Sequence, residues 1–314
     1  MNSQIEQWRV QAYTANVYKL SQQKGSRLAP VVRTETFKGK TEYFDRMGLA
    51  TAQKKVARNS PTPNLDIPLS RRACTTSLYE WGTVVDRKDK LQNIHDPENQ
   101  FAQAAMMSLG RSKDDVLVNA ALGQAASGET GTSMVSLPNA QKIASVSAGA
   151  IAGLNVQAIL GVKELFDAAE VDEAQRYFVY NAAQMRSLLG QTQVTSADYN
   201  SVRALVKGEL DSFLGFKLIH SERLLASSVY SSGTSYDPVT GLYSTAGNAI
   251  ALSGSEKSAF AFVGDGLLLG RNEEAIGRID ERPDMSYNVQ VYNSEDFGAV
   301  RMEEVKVVEV ICQF

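Results

Sequence analysis

The residues best suited to chemistry are few and scattered. The chain has 314 residues and only two histidines, His95 and His220, and two cysteines, Cys74 and Cys312. Neither histidine has a second His or Cys at metal-ligand spacing, and no Cys-His pair suits nucleophilic catalysis. His95 stands beside the helix cap at Asp96, and His220 follows a strand; both read as ordinary solvent-facing or packed histidines. No Gly-x-Ser-x-Gly elbow is present. Gly123-Gln-Ala-Ala-Ser-Gly128-Glu129-Thr130 has the glycine spacing of a phosphate loop. However, Glu129 stands where the phosphate-binding lysine belongs, and a carboxylate there repels phosphate. The stretch also follows a helix rather than a strand, so it reads as a hinge. Gly264-Asp265-Gly266 lacks a following amphipathic helix and reads as a tight strand connection. The densest charge cluster runs Arg278-Ile-Asp280-Glu281-Arg282-Pro283-Asp284. Asp280 and Glu281 could work as an acid–base pair. With no nucleophile or pocket motif beside them, alternating signs read instead as a salt-bridged surface or an interface.

Composition bounds the remaining possibilities. With 43% hydrophobic residues the chain can bury a core, and its length permits one elaborate domain or two ordinary ones. The formal net charge of −3 does not predict a phosphate-gripping face. Two cysteines far apart build no disulfide framework, which suits synthesis in a reducing cytoplasm. The start, Met1-Asn2-Ser3-Gln4-Ile5-Glu6, lacks the basic and apolar regions of a signal peptide. No apolar run approaches the length needed to span a bilayer.

Hydrophobic periodicity then places the elements. An amphipathic helix is expected over residues 3–22, with Ile5, Trp8, Ala12 and Ala15 near one face. Val31 to Phe37 reads as extended, Lys38-Gly39-Lys40 as a turn, and Thr41 to Phe44 as the return. Basic and proline-punctuated stretches follow, then an extended run from Arg71 to Val85 containing Tyr79 and Trp81. This 31–92 region cannot make a compact core alone. A neighbouring subunit or a parent domain must hold it. The clearest helix is 96–122, capped by Asp96 and Pro97, about 39 Å long at about 1.5 Å per residue. Residues 123–150 read as loop with short extended pieces. Helices follow at 154–169, at 181–189 capped by Asn181, and at 196–213 behind a Thr195-Ser-Ala-Asp198 capping box. Arg176–Tyr180 and Phe216–Ile219 read as strands. Residues 226–258 are Ser/Gly/Thr/Tyr-rich and read as a long loop or hairpin insertion. Further strands are expected at 259–263, 267–269, 287–293 and 305–311, with Asp296, Gly298 and Arg301 marking a turn or crossover.

Several stretches resemble the major capsid proteins of tailed bacteriophages and prophages, in a podophage-like branch. They are Ser70-Arg-Arg-Ala-Cys74, Tyr79-Glu-Trp81, Val85-Asp-Arg-Lys-Asp-Lys-Leu91, Asp96-Pro97, Arg111-Ser-Lys-Asp-Asp115, Thr195 to Val202 and Gly208 to Phe216. Arg278 to Tyr287 and Gly298 to Val308 complete the set. The resemblance implies an α+β Hong Kong 97-type capsid fold, with N-terminal arm, extended β-hairpin loop, long spine helix, and peripheral and axial domains. The implied division is 1–30 arm, 31–92 extended loop region, 93–149 peripheral domain with spine helix, 150–285 axial domain, and 286–314 returning peripheral strands. The 226–258 insertion is longer than the branch leads one to expect.

The implied function is structural and non-enzymatic: self-assembly into hexamers and pentamers of an icosahedral shell around double-stranded DNA. No cofactor or metal is expected. The implied partners are the chain itself, portal and scaffolding proteins, a decoration or cement protein, and packaged DNA held without specific binding. No membrane is expected, and the implied site is the virion, after assembly in the host bacterial cytoplasm. Subunit-interface candidates are Arg71, Arg72, Trp81, Asp86, Arg87, Lys88 and Asp89, with Arg278, Asp280, Glu281, Arg282 and Asp284. Two other readings stay open: an encapsulin-type nanocompartment shell, and a cytosolic α+β enzyme with an unrecognised site.

Overall fold

A computed structural model describes residues 22–55, 57–58, 62, 64–85, 98–147, 150–191, 212–224, 235–236, 243–244, 250–251 and 256–313. The expected helix at 3–22 and nearly all of 196–213 lie outside these residues, as do Asp96 and Pro97. In chain order come β1 (Arg33–Thr36), β2 (Thr41–Met47), β3 (Leu69–Thr75), β4 (Ser77–Val85) and helix α1 (Glu98–Leu122). Short strands follow: β5 (Ala125–Ser127), β6 (Ser133–Val135), β7 (Lys142–Ala144), β8 (Val146–Ser147) and β9 (Ala150–Ile151). Next are α2 (Val156–Ala168), β10 (Arg176–Tyr180), α3 (Ala182–Leu189), β11 (Ser212–Phe213) and β12 (Phe216–His220). Within the 226–258 stretch, β13 (Ser235–Tyr236), β14 (Tyr243–Ser244) and β15 (Ile250–Ala251) form a small sheet. Last come β16 (Glu256–Val263), β17 (Leu267–Arg282), β18 (Asn288–Arg301) and β19 (Val307–Gln313).

The chain divides into two compact units. One holds Ser26–Tyr79, Ser112–Glu274 and Asp296–Phe314; the other holds Met1–Gly25, Glu80–Arg111 and Ala275–Glu295. The larger unit is built on a mixed sheet in the order β11-β12-β10-β16-β19-β7. Strand alternation gives this sheet two apolar faces. Tyr177, Val179, Phe260, Phe262 and Val307 pack with Leu117, Val118, Ala121 and Leu122 from the C-terminal half of α1. Phe178, Ala259, Ala261, Val308 and Val310 point the other way, against Ala158, Ile159, Val162 and Phe166 of α2. A sheet covered on both faces explains why these strands read as continuous apolar runs.

The expected Asn181 cap is present, and Asn155 adds a cap that the sequence reading did not name. Asn155 caps α2 by accepting from the Ala158 amide at 2.7 Å. Asn181 and Gln184 form a reciprocal capping box on α3. The observed elements and pairings differ from the sequence reading in several places. β1 and β2 do not pair with each other: β1 runs parallel to β17, and β2 pairs antiparallel with β3. Among the described residues of the 31–92 region, β1 lies on β17, β3 on β5 and β4 on β18, so the chain itself supplies partners, one of the two supports the sequence left open. Asp296, Gly298 and Arg301 mark no turn; β18 continues through all three. Ser212 and Phe213, expected to end a helix, form β11. β19 lies between β16 and β7 in the central sheet.

Candidate assembly surfaces

The β2–β3 pair is exposed at its outer end and buried at Arg72–Cys74. Its register sets Met47 opposite Leu69, Asp45 opposite Arg71 and Phe44 opposite Arg72. Cross-strand partners share a face. Asp45 and Arg71 therefore meet, with Nε to Oδ1 at 2.6 Å, and Arg71 also lies over the Tyr43 ring. The Arg71 guanidinium holds the Asp45 carboxyl below its ordinary range. One step further out, Met47 is 71% and Leu69 75% exposed, and Leu49 beyond them is 96% exposed. The Gly48 amide donates to the Pro68 carbonyl at 2.8 Å, so the pairing extends one residue past the strands. Leu65 and Ile67 on the returning side are exposed as well.

The root of this hairpin is buried and cationic. Arg72 is 1% exposed and donates through Nη2 to Glu304. Arg46 reaches the same carboxylate at 3.7 Å, and Arg301 at 3.9 Å. Arg301 is fully buried, and its Nη1 donates to the Ala121 and Gly123 carbonyls at 2.8 and 2.7 Å. Through its Nη2 it also binds the Val135 carbonyl at 3.0 Å. One residue thus closes the open end of α1 and pins the β5–β6 hairpin. Burial lowers the Arg301 pKa to about 10, with the Arg72 charge adding to the effect.

The sequence-predicted interface residues separate into several environments. Arg71 is on the surface, neutralised by Asp45. Arg72 is buried, and its guanidinium pairs with Glu304 within its own unit. Trp81 is half-buried on β4. Asp86, Arg87, Lys88 and Asp89 lie outside the described residues. Arg278, Asp280 and Glu281 are exposed on β17. Arg282 pairs with Asp284, Nε to Oδ1 at 3.0 Å, and donates to Gln290 at 3.2 Å. Asp280 and Glu281 are consecutive on a strand and point to opposite faces, an unsuitable arrangement for paired acid–base work. The exposed apolar residues of β2–β3 escaped the sequence reading, which weighed charges. The available signal was Leu65 and Ile67 standing among prolines without helical or strand partners.

Little here suggests a reaction. The phosphate-loop look-alike follows α1, contains β5 and ends in the turn to β6, where Gly128 adopts φ +90° and Gly131 φ +69°. It runs from helix to strand, the reverse of a phosphate loop. An open depression of about 580 Å³ beside it is lined by Asp45, Leu69, Ser70, Arg71, Gly128 and Glu129. Among the described residues, no histidine or cysteine lines it. Among the described residues, no group of three or more His, Cys, Asp or Glu could hold a metal ion. No helix among them is long and apolar enough to cross a membrane.

The family model for phage capsid protein matches residues 5–313. The chain belongs to the phage capsid protein family. Solved capsids share its fold at low sequence identity. The capsid of cyanophage P-SCSP1u is 13% identical with a TM-score of 0.71, over 98% of this chain and 94% of that one. The capsid of Ralstonia phage GP4 is 8% identical with a TM-score of 0.70, over 98% and 95%. The capsid of a native GTA particle is 12% identical with a TM-score of 0.69, over the whole of both chains. A comparison with curated proteins gives no match. The α+β architecture is thus that of the Hong Kong 97-type capsid subunit, with α1 as its long helix. This is a structural protein of the virion shell.

Proposed function

We propose that this capsid subunit assembles with copies of itself into hexamers and pentamers of an icosahedral shell around double-stranded DNA. The observation that carries the proposal is the β2–β3 hairpin. Its outer end presents Met47, Leu49, Leu65, Ile67 and Leu69 to solvent. Exposed apolar groups gathered at one end of a strand pair are unfavourable in an isolated subunit and favourable once a neighbour covers them. The buried arginine–Glu304 root anchors that strand pair. Rings that close by rotation use one such heterologous contact many times. Small contributions from each contact then make the shell cooperative.

The exposed charges at Arg278, Asp280, Glu281, Arg282 and Asp284 supply a second, polar contact, and Arg71 and Trp81 border further ones. Portal, scaffolding and decoration proteins would meet the assembled surface rather than an isolated subunit. DNA would be enclosed without tight phosphate binding, as the net charge of −3 suits. Assembly would take place in the cytoplasm of the bacterial host. Electron microscopy and sedimentation of the purified full-length protein test this reading. Closed shells, or rings of five and six, are expected. A monomer or dimer at all concentrations would overturn it.

A further inference from the structure

Three guanidinium groups share one carboxylate at the root of β2–β3. Arg72 and Arg301 both face Glu304 Oε1, and Arg46 faces Oε2. Three positive charges against one negative leave an excess of two. Of the charges that act on Arg301, Glu309 contributes least, and it is itself paired with Lys142 at 3.8 Å. The donors outnumber their acceptors as well. Arg301 gives both Nη atoms to backbone carbonyls, but its buried Nε has no hydrogen-bond partner among the described residues. Arg72 gives Nη2 to Glu304, while its buried Nε and Nη1 have none. The Nε of Arg46 is in the same position. Charged donors held out of water without acceptors are costly. Loss of a proton does not relieve them near neutral pH, since burial lowers Arg301 only to about 10.

We infer that Arg46, Arg72 and Arg301 form a binding site for one small monovalent anion of the chloride class, held beside Glu304 by the free donors of Arg72 and Arg301. The donor set selects the class. Both bidentate edges of a guanidinium use Nη2, and on Arg72 that atom is already given to Glu304. What is left is single N–H groups, which suit a spherical anion better than the planar fork of an oxyanion. Arg46 provides the way in. Its side chain is 20% exposed, and it lines a depression of about 320 Å³ together with Met302, Glu303 and Lys306. The anion would tie β2 and β3, through Arg46 and Arg72, to the end of β18 at Arg301. Chloride would therefore stabilise the root of the hairpin, whether or not a neighbour covers its outer end.

Thermal unfolding of the purified full-length protein tests the site, with potassium chloride exchanged for potassium gluconate at one ionic strength. Gluconate is too large to enter. Between no chloride and about 300 mM, the wild-type melting temperature should rise by about 3 °C and then level off, as a saturable site requires. Arg71→Gln, which changes an exposed arginine on the same strand, should keep this response. Arg72→Met removes two free donors and half of the excess charge, and should abolish it. If that variant does not fold, Arg46→Met decides. It leaves both buried guanidinium groups in place and should raise the half-saturating chloride concentration at least about threefold. No chloride response in the wild type would overturn the proposal. So would a response that Arg72→Met and Arg46→Met share unchanged with the wild type, which would leave the free donors to water.

Discussion

Met47 and Leu69 stand directly opposite each other across β2 and β3, both largely in solvent, one step outward from the Asp45–Arg71 ion pair. Because neither contributes to the subunit core, replacing them tests assembly apart from folding. Met47→Lys with Leu69→Lys should leave the melting temperature of the unassembled subunit within about 2 °C, since exposed positions rarely shift stability by more than about 0.5 kcal/mol. Shell or ring yield, counted by negative-stain microscopy, should fall at least about tenfold. Unchanged assembly would show that this face stays uncovered in the particle.

The Glu304 cluster predicts an order of effects rather than a single value. Glu304→Ala leaves Arg46, Arg72 and Arg301 without their shared counter-charge, two of them buried. Breaking a buried pair in this way costs about 3–5 kcal/mol. Arg72→Met should cost less, because it also removes the repulsion that Arg72 exerts on Arg301. Urea unfolding of the two variants gives the comparison, and the reverse order would contradict the geometry.

Asp45 offers a pH measurement. Its carboxyl, at an exposed position of β2, is lowered chiefly by the Arg71 hydrogen bond. A carboxylate lowered on folding contributes stability above its unfolded pKa and loses it as pH falls through the folded value. The contribution is therefore present above about pH 4 and lost in more acidic solution. A ¹³C titration should place the Asp45 midpoint below 3.8, its ordinary value, and Arg71→Gln should return it there. Added salt should shift the wild type in the same direction.

Cys74 should be silent toward thiol reagents. It is fully buried, and burial raises its pKa to about 11. A buried thiol cannot meet a neighbour's thiol, so disulfide crosslinks between subunits through this residue are not expected. At pH 8 an aromatic disulfide reagent should label it only at the rate of unfolding, with denaturant restoring full reactivity. Fast labelling of the native protein would place the sulfur at a surface.

What was legible in the sequence was local. Asn181 with Gln184 announces a helix start through a bond spanning three residues. The apolar runs at 176–180 and 259–263 announce strands because both of their faces are buried. The pairing partners were not legible. Lys38-Gly39-Lys40 looks like a hairpin turn, and Gly39 does adopt φ +121°, yet the strands it joins go to different sheets. The burial of Arg72 and Arg301 was not legible either, because charge ordinarily marks a surface. Their burial depends on Glu304 and on carbonyls far along the chain. The fold class and the assembly role came from resemblance spread over many short stretches, since a shell subunit carries no compact chemical motif.

The place of β19 has a kinetic consequence. Lys142 of β7 pairs with Glu309 of β19, and β16 lies on the other side of the same strand. Until the segment 307–313 arrives, β16 and β7 each expose an unpaired edge, which is a template for sticking to other chains. Non-local closure of this kind is slow. A cell making many copies at once therefore holds a pool of chains with open edges, and the yield of sound particles depends on how quickly that late strand inserts.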